Sequence, residues 1–187
     1  MLLCNAAHGF SQNYDVRKKS NITVSQLDSK LKNGLKGTGR YFIEAQNKYG
    51  INAEFLAAIA IHESGNGKSV LARRKNNFFG LIGKRGALSF STPKECIDCV
   101  AKNLTKKNGN YYGRGRYTIS SIGRKYASDR RWSSRIVATM KSIRWFIKGE
   151  ETKILSFFCI KYARRKRYSY GLFLHTDDKS FYMVVLK

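Results

Sequence analysis

Carboxylates are scarce in this 187-residue chain: 12 Asp and Glu stand against 36 Lys and Arg. Glu63 is the one whose neighbours point to chemistry. It follows the apolar residues Phe55, Leu56, Ile59 and Ala60, and lies four residues after Ile59, seven after Leu56 and eight after Phe55. At 3.6 residues per turn, that spacing predicts a carboxyl on the apolar side of a helix, in its last turn. Burial disfavours a carboxylate, and so does the negative end of the helix dipole. Both favour the protonated form that a general acid needs to protonate a glycosidic oxygen near neutral pH. The plainer alternative is a helix-end glutamate paired with Lys68, Arg73 or Arg74.

A second acid or base has few candidates. Residues 64–94 contain no Asp or Glu, and the first acids beyond them are Glu95 and Asp98. Thr92-Pro93-Lys94-Glu95 reads as a capping box with proline at the first helical position, so Glu95 has a structural task and Asp98 sits in the same first turns. Asp129 likewise reads as an N-cap. Cys96 and Cys99 form a lone pair with no histidine nearby, inside an apolar-periodic segment (Cys96, Ile97, Val100, Leu104), which fits helix packing better than half a zinc site. No metal or other cofactor is expected. His62 falls on a different helix face from Glu63, and His8 and His175 are isolated.

The helix that carries Glu63 is predicted over 53–64, with Asn52 as N-cap and Glu54 in the first turn, where the dipole favours negative charge. Before it, a helical pattern starts at Thr23 (Val24, Leu27, Leu31) and breaks at the glycines of 33–39. A second helix runs from Thr38 or Gly39 through Phe42, Ile43 and Ala45 to Tyr49, with Gly50 as its stop. After it, the apolar runs 78–82 and 87–90 read as a small hairpin about Gly83-Lys84-Arg85-Gly86. Further helices are predicted from Pro93 to about Leu104, near Ile119 to Tyr126, and through Ile136, Val137, Met140, Ile143, Trp145, Phe146 and Ile147. Beyond Gly149 the character changes: 154–160 is almost continuously apolar, Arg164 to Arg167 is a basic run, and 168–174 and 181–186 read as strands. The predicted fold class is mainly α (α+β), a helical domain with a small β-hairpin lobe. Its expected organisation is a mobile lead-in at 1–20, the catalytic domain at 21–148, and a strand-containing appendage of unknown role at 149–187.

A hydrophobic content of 42% excludes a wholly disordered basic tail. The net charge of +24 attracts a polyanion, whether nucleic acid, an anionic membrane or an acidic cell-wall polymer. No stretch reaches the ~18 to 20 consecutive apolar residues of a membrane span. The opening MLLCNAAHGF is too short and polar for a signal-peptide core, so action outside a cell implies a phage-type or other non-standard release route.

Three ordered motifs add a resemblance. The run from Tyr49-Gly50-Ile51-Asn52 through His62-Glu63-Ser64-Gly65-Asn66-Gly67-Lys68-Ser69, then Asn76-Asn77-Phe78-Phe79-Gly80, then Lys125-Tyr126-Ala127-Ser128-Asp129-Arg130-Arg131-Trp132, resembles the bacterial glucosaminidase family of peptidoglycan hydrolases. These are the family-73 glycoside hydrolases of autolysins, flagellar muramidases and phage lysins. The resemblance spans roughly residues 21–148. It implies a lysozyme-like fold with Glu63 as general acid at the end of the central helix, and a cut between N-acetylglucosamine and N-acetylmuramic acid in peptidoglycan glycan strands. It also implies that Tyr126 lines the cleft and that Asn77 and Phe79 shape the turn beneath it. Tyr111, Tyr112, Tyr117 and Trp132 offer sugar-stacking faces. The substrate's stem-peptide carboxylates, and wall phosphates where present, match the positive charge, so the expected setting is the bacterial cell wall or outside the cell, with the protein a monomer.

The chain departs from that family in its acid-free β-lobe. Three mechanisms follow. Asp98 or Glu95 reaches the cleft and activates water, inverting the anomeric centre if the carboxyls stand about 6.5 to 9.5 Å apart. The sugar's own 2-acetamido group attacks, with retention. Or Glu63 serves as both acid and base and yields an anhydro sugar. The last two are favoured. Two other readings compete: a nucleic-acid-binding module using Lys and Arg interleaved with Tyr and Phe, which accounts for the charge but not for the three motifs, and a catalytically inactive wall-binding lysin fold.

Overall fold

The structure is a computed structural model that describes residues 10–144 and the backbone of two strands at 169–174 and 181–186. The expectations for His8, His175, Cys4, Cys159, Trp145 to Ile147, the apolar run 154–160 and the basic run 164–167 lie outside the described residues. The chain divides into two units, Met1–Ile143 and Arg144–Lys187.

In the first unit, local signals start and stop most of the helices. Thr23 and Gln26 close a reciprocal capping box at the head of α1 (Val24–Asp28). α2 (Gly39–Tyr49) ends at Gly50 with φ +67°, a left-handed stop that glycine takes without strain. The Asn52 side chain accepts from the Phe55 N–H and starts α3 (Ala53–Ser64). Thr92 accepts from the Glu95 N–H at the start of α5 (Pro93–Thr105), and Thr118 caps α6 (Ile119–Tyr126). A final helix, α7, begins at 132 and continues to 144.

α3 forms the centre of the core. All eight residues from Ala53 to Ala60 are buried, Glu54 among them. Phe55, Leu56 and Ile59 fill space, while Ala57, Ala58 and Ala60 let neighbouring segments approach the other faces, so the helix is apolar all round rather than on one stripe. α2 packs on α3 and also on α5. Cys96 is buried in α5 and burial pushes its thiol up to about 12, whereas Cys99 is exposed and does not join the packing predicted for the pair.

Three sequence expectations need correction. The lead-in expected to be mobile over 1–20 is packed from residue 10 onward: Phe10 and Val16 are buried, the Val16 N–H donates to the Tyr117 carbonyl (2.8 Å), and the Asn52 N–H donates to the Val16 carbonyl (2.7 Å). Ser20 Oγ donates to the buried Glu54 carboxylate at 2.6 Å. Two apolar residues in an otherwise polar stretch leave no periodicity to read. The stretch after α3 contains a short helix, α4 (Val70–Lys75), capped by Ser69, which the surrounding glycines obscured. The hairpin is smaller than predicted: β1 (Ile82–Gly83) pairs with β2 (Gly86–Ala87) over two residue pairs, and Phe78 and Phe79 sit in the preceding turn with both side chains buried. Asn77 holds this lobe together in place of a longer ladder. Its Nδ2 donates to the Leu81 and Leu88 carbonyls and its Oδ1 accepts from the Leu81 N–H.

In the second unit, β3 (Ser169–Leu174) pairs antiparallel with β4 (Phe181–Leu186), from Ser169 opposite Leu186 to Leu174 opposite Phe181, close to the predicted strands. Among the described residues, no helix is long and apolar enough to cross a membrane.

Candidate active site

The end of α3 is pinned in place by its own turn. Gly65 takes a left-handed conformation, followed by Asn66 (φ +56°) and Gly67 (φ +79°). Asn66 Oδ1 accepts from the Lys32 N–H (3.2 Å), Asn33 Nδ2 donates to the Asn66 carbonyl (3.0 Å), and the Gly67 N–H donates to Ser64 Oγ (2.8 Å). At this fixed helix end Glu63 and His62 border a cavity of about 570 Å³. The turn and hairpin residues Phe79 to Ile82 form one wall, and Tyr111, Tyr126, Asp129, Trp132 and Arg135 contribute to the other.

Glu63 stands at the predicted place, but its surroundings differ from the prediction. The side chain is exposed rather than buried, because the first two turns of α3 enter the core and the last emerges into the cavity. Among the described residues it makes no ion pair, so the alternative pairing with Lys68, Arg73 or Arg74 does not form. Its partner is Trp132, whose Nε1–H donates to Glu63 Oε1 at 2.9 Å. Sequence reasoning placed Trp132 as a stacking face for sugar, but its ring is 2% exposed and lies 5.0 Å from the Tyr126 ring, tilted by 31°. What it offers the cavity is the N–H. The Tyr126 phenol is pushed up by burial, with the negative charge of Glu63 adding to the effect.

Of the other predicted residues, Phe79 lines the cavity and Asn77 lies behind it as the organiser of the turn. Tyr112 does not reach it. Its ring packs edge-on against Tyr117 at 5.2 Å and its buried hydroxyl has no hydrogen-bond partner among the described residues, while its neighbour Tyr111 takes the place in the cavity wall. The two proposed second carboxylates are also elsewhere. Asp98 pairs with Lys48 (3.6 Å) and Lys94 (3.7 Å), and Glu95 Oε2 accepts from the Ser91 N–H (3.0 Å). The acid that shares the cavity with Glu63 is Asp129. Its Oδ1 accepts from the Arg131 N–H (2.9 Å) and its Oδ2 meets Arg135 Nη1 (3.0 Å), and these contacts hold its carboxyl below the usual carboxylate range. The N-cap reading does not hold: α7 begins at 132, and the Asp129 side chain accepts from the Arg131 N–H in the turn ahead of it; the place in the cavity wall was missed. Its position three residues after Tyr126 was the available signal.

The family model for glucosaminidase, described as mannosyl-glycoprotein endo-beta-N-acetylglucosaminidase, matches residues 39–145, from the first residue of α2 through α7. The chain belongs to the glucosaminidase family. Two Streptococcus pneumoniae proteins, each named "Putative endo-beta-N-acetylglucosaminidase", are 30% identical to this glucosaminidase-family chain over 151 residues, 73% of its length. The chain spans 23% and 21% of those relatives. Among solved structures, a catalytic glutamate-to-alanine mutant of S. aureus Autolysin E in complex with the disaccharide NAG-NAM is similar at a TM-score of 0.64 and 25% identity, over 73% of each chain. The catalytic domain of the autolysin Auto from Listeria monocytogenes shares the fold at a TM-score of 0.51 and 18% identity, over 67% of this chain and 87% of that one. The fold is therefore the lysozyme-like fold of autolysin catalytic domains, with a helical body and a small hairpin lobe.

Proposed function

We propose that this domain hydrolyses the β-1,4 bonds of peptidoglycan at the bacterial cell wall, between N-acetylglucosamine and N-acetylmuramic acid, with Glu63 as the general acid. The observation that carries this reading is a carboxyl that, among the described residues, has no charged partner and is held by the Trp132 N–H at the edge of a cavity of about 570 Å³. The similar S. aureus autolysin, whose catalytic mutant replaces a glutamate and binds NAG-NAM, supports both the residue type and the substrate class. The net charge of +24 favours adhesion to an anionic wall.

In the proposed reaction Glu63 gives its proton to the bridging oxygen as the bond from that oxygen to the anomeric carbon breaks. The 2-acetamido oxygen of the same sugar bonds to the anomeric carbon, and the Glu63 carboxylate then takes a proton from the water that opens this ring, so configuration is retained. Asp129 is already engaged by an N–H and a guanidinium, which favours a structural task over water activation. Removing a general base costs about 10²- to 10⁴-fold in rate. Asp98→Asn, Glu95→Gln and Asp129→Asn, each measured per folded molecule, are expected to lose less than about tenfold. A loss beyond a hundredfold at Asp129 with the fold intact would identify it as a water-activating base and favour inversion.

Bond specificity is tested by digesting purified peptidoglycan, reducing with borohydride and analysing the new ends by mass spectrometry. Reduced N-acetylglucosamine is expected. Reduced muramic acid would indicate a muramidase, and anhydromuramic acid a lytic transglycosylase.

A further inference from the structure

We propose that Trp132 is a positioning residue that fixes which carboxyl oxygen of Glu63 carries the catalytic proton. The inference rests on the reading of Glu63 as general acid. Its physical basis is that an indole N–H donates and never accepts. Trp132 Nε1 lies 2.9 Å from Glu63 Oε1, so Oε1 must be the acceptor. The carbonyl oxygen of a carboxylic acid accepts better than its hydroxyl oxygen. Protonated Glu63 therefore presents its carbonyl oxygen to the indole and its O–H from Oε2.

The indole is seated firmly enough to impose this choice. It belongs to the first residue of α7, is 2% exposed, and has the Tyr126 ring 5.0 Å away on one side. On another side lies Gly123 of α6. A Cβ placed on Gly123 would stand 2.9 Å from Trp132 Cε3 and closer still to Ser133 Oγ, so the absence of a side chain there makes the socket. Three elements thus meet on one hydrogen bond: α6 supplies the socket, α7 the donor and α3 the acceptor. Glu63 is exposed and ends a long flexible side chain, so without this bond its carboxyl would sample several rotamers and either oxygen could carry the proton. Orientation of this kind governs rate more than substrate affinity, since a misplacement of about 1 Å costs about a hundredfold.

The test has two independent arms. The chain has two tryptophans, so Trp145→Phe leaves Trp132 as the sole indole signal in a proton–nitrogen correlation spectrum. On that background Glu63→Ala is expected to move the indole proton upfield and speed its exchange with solvent, because the acceptor is gone. An indole resonance unchanged in shift and exchange by Glu63→Ala would overturn the proposal, whether or not any Trp132 variant folds. In the second arm Trp132→Phe keeps a ring in the socket and deletes the N–H. It is expected to lower kcat by about tenfold or more while KM on soluble glycan fragments stays within about threefold. A folded Trp132→Phe protein with kcat reduced less than tenfold, beside a dead Glu63→Gln protein, overturns this inference and leaves the general acid standing. A fully active Glu63→Gln protein removes the general acid itself.

Discussion

Glu63→Gln is expected to lose about 10²- to 10⁴-fold or more of its turnover on purified peptidoglycan while folding and binding walls as before. Both halves of that expectation follow from the geometry. The side chain is exposed and makes no ion pair among the described residues, so the substitution removes little that stabilises the fold; such surface changes usually stay within about 0.5 kcal/mol. Gln also keeps a carbonyl oxygen able to accept the hydrogen bond that Trp132 Nε1 now gives to Glu63 Oε1. What it lacks is an acidic proton. Rates measured alongside circular dichroism and wall pull-down separate the two effects. Near-normal turnover in a folded Glu63→Gln protein would remove the central claim.

The site was partly legible in the sequence because its supports are local and its contents are not. The N-cap at Asn52, the glycine stop at Gly50 and the capping signal at Thr92 are read from neighbouring residues, and each marks a helix end. Glu63 was located by its spacing from Phe55, Leu56 and Ile59, but spacing reports the face of a helix and not where that helix leaves the core. The emergence of the last turn of α3 into a cavity is a tertiary fact. The Trp132 bond joins residues 69 positions apart, and nothing in either local run shows that the indole is seated against Gly123. Tyr111 and Tyr112 are adjacent and chemically identical, so composition could not show which of them enters the cavity wall. The strap at 10–20 escaped notice because backbone hydrogen bonds to Tyr117 and Asn52, which side-chain pattern does not encode, do much of the holding.

The turn that follows Glu63 gives the second large expected effect, this time on stability. Gly65 and Gly67 both have positive φ, +58° and +79°, and differ in what surrounds them. A Cβ on Gly65 meets nothing within 4 Å, so Gly65→Ala bears only the conformational penalty, about 1 to 2 kcal/mol. A Cβ on Gly67 would stand 2.7 Å from the backbone nitrogens of Gly34 and Leu35 and 3.0 Å from the Lys32 carbonyl oxygen. These are main-chain atoms, which cannot swing aside as the end of a side chain can. Gly67→Ala therefore adds overpacking to the φ penalty, for a total of about 2 to 5 kcal/mol. The strain falls on the segment that anchors the end of α3 to residues 32–34, so Gly67→Ala is also expected to lower kcat below that of Gly65→Ala at temperatures where both are folded. Urea denaturation of the two variants, followed by turnover on the folded fraction, makes the comparison. Equal stability losses for the pair would show that the 32–35 segment yields to the added methyl, and that the α3 end is held by hydrogen bonds alone.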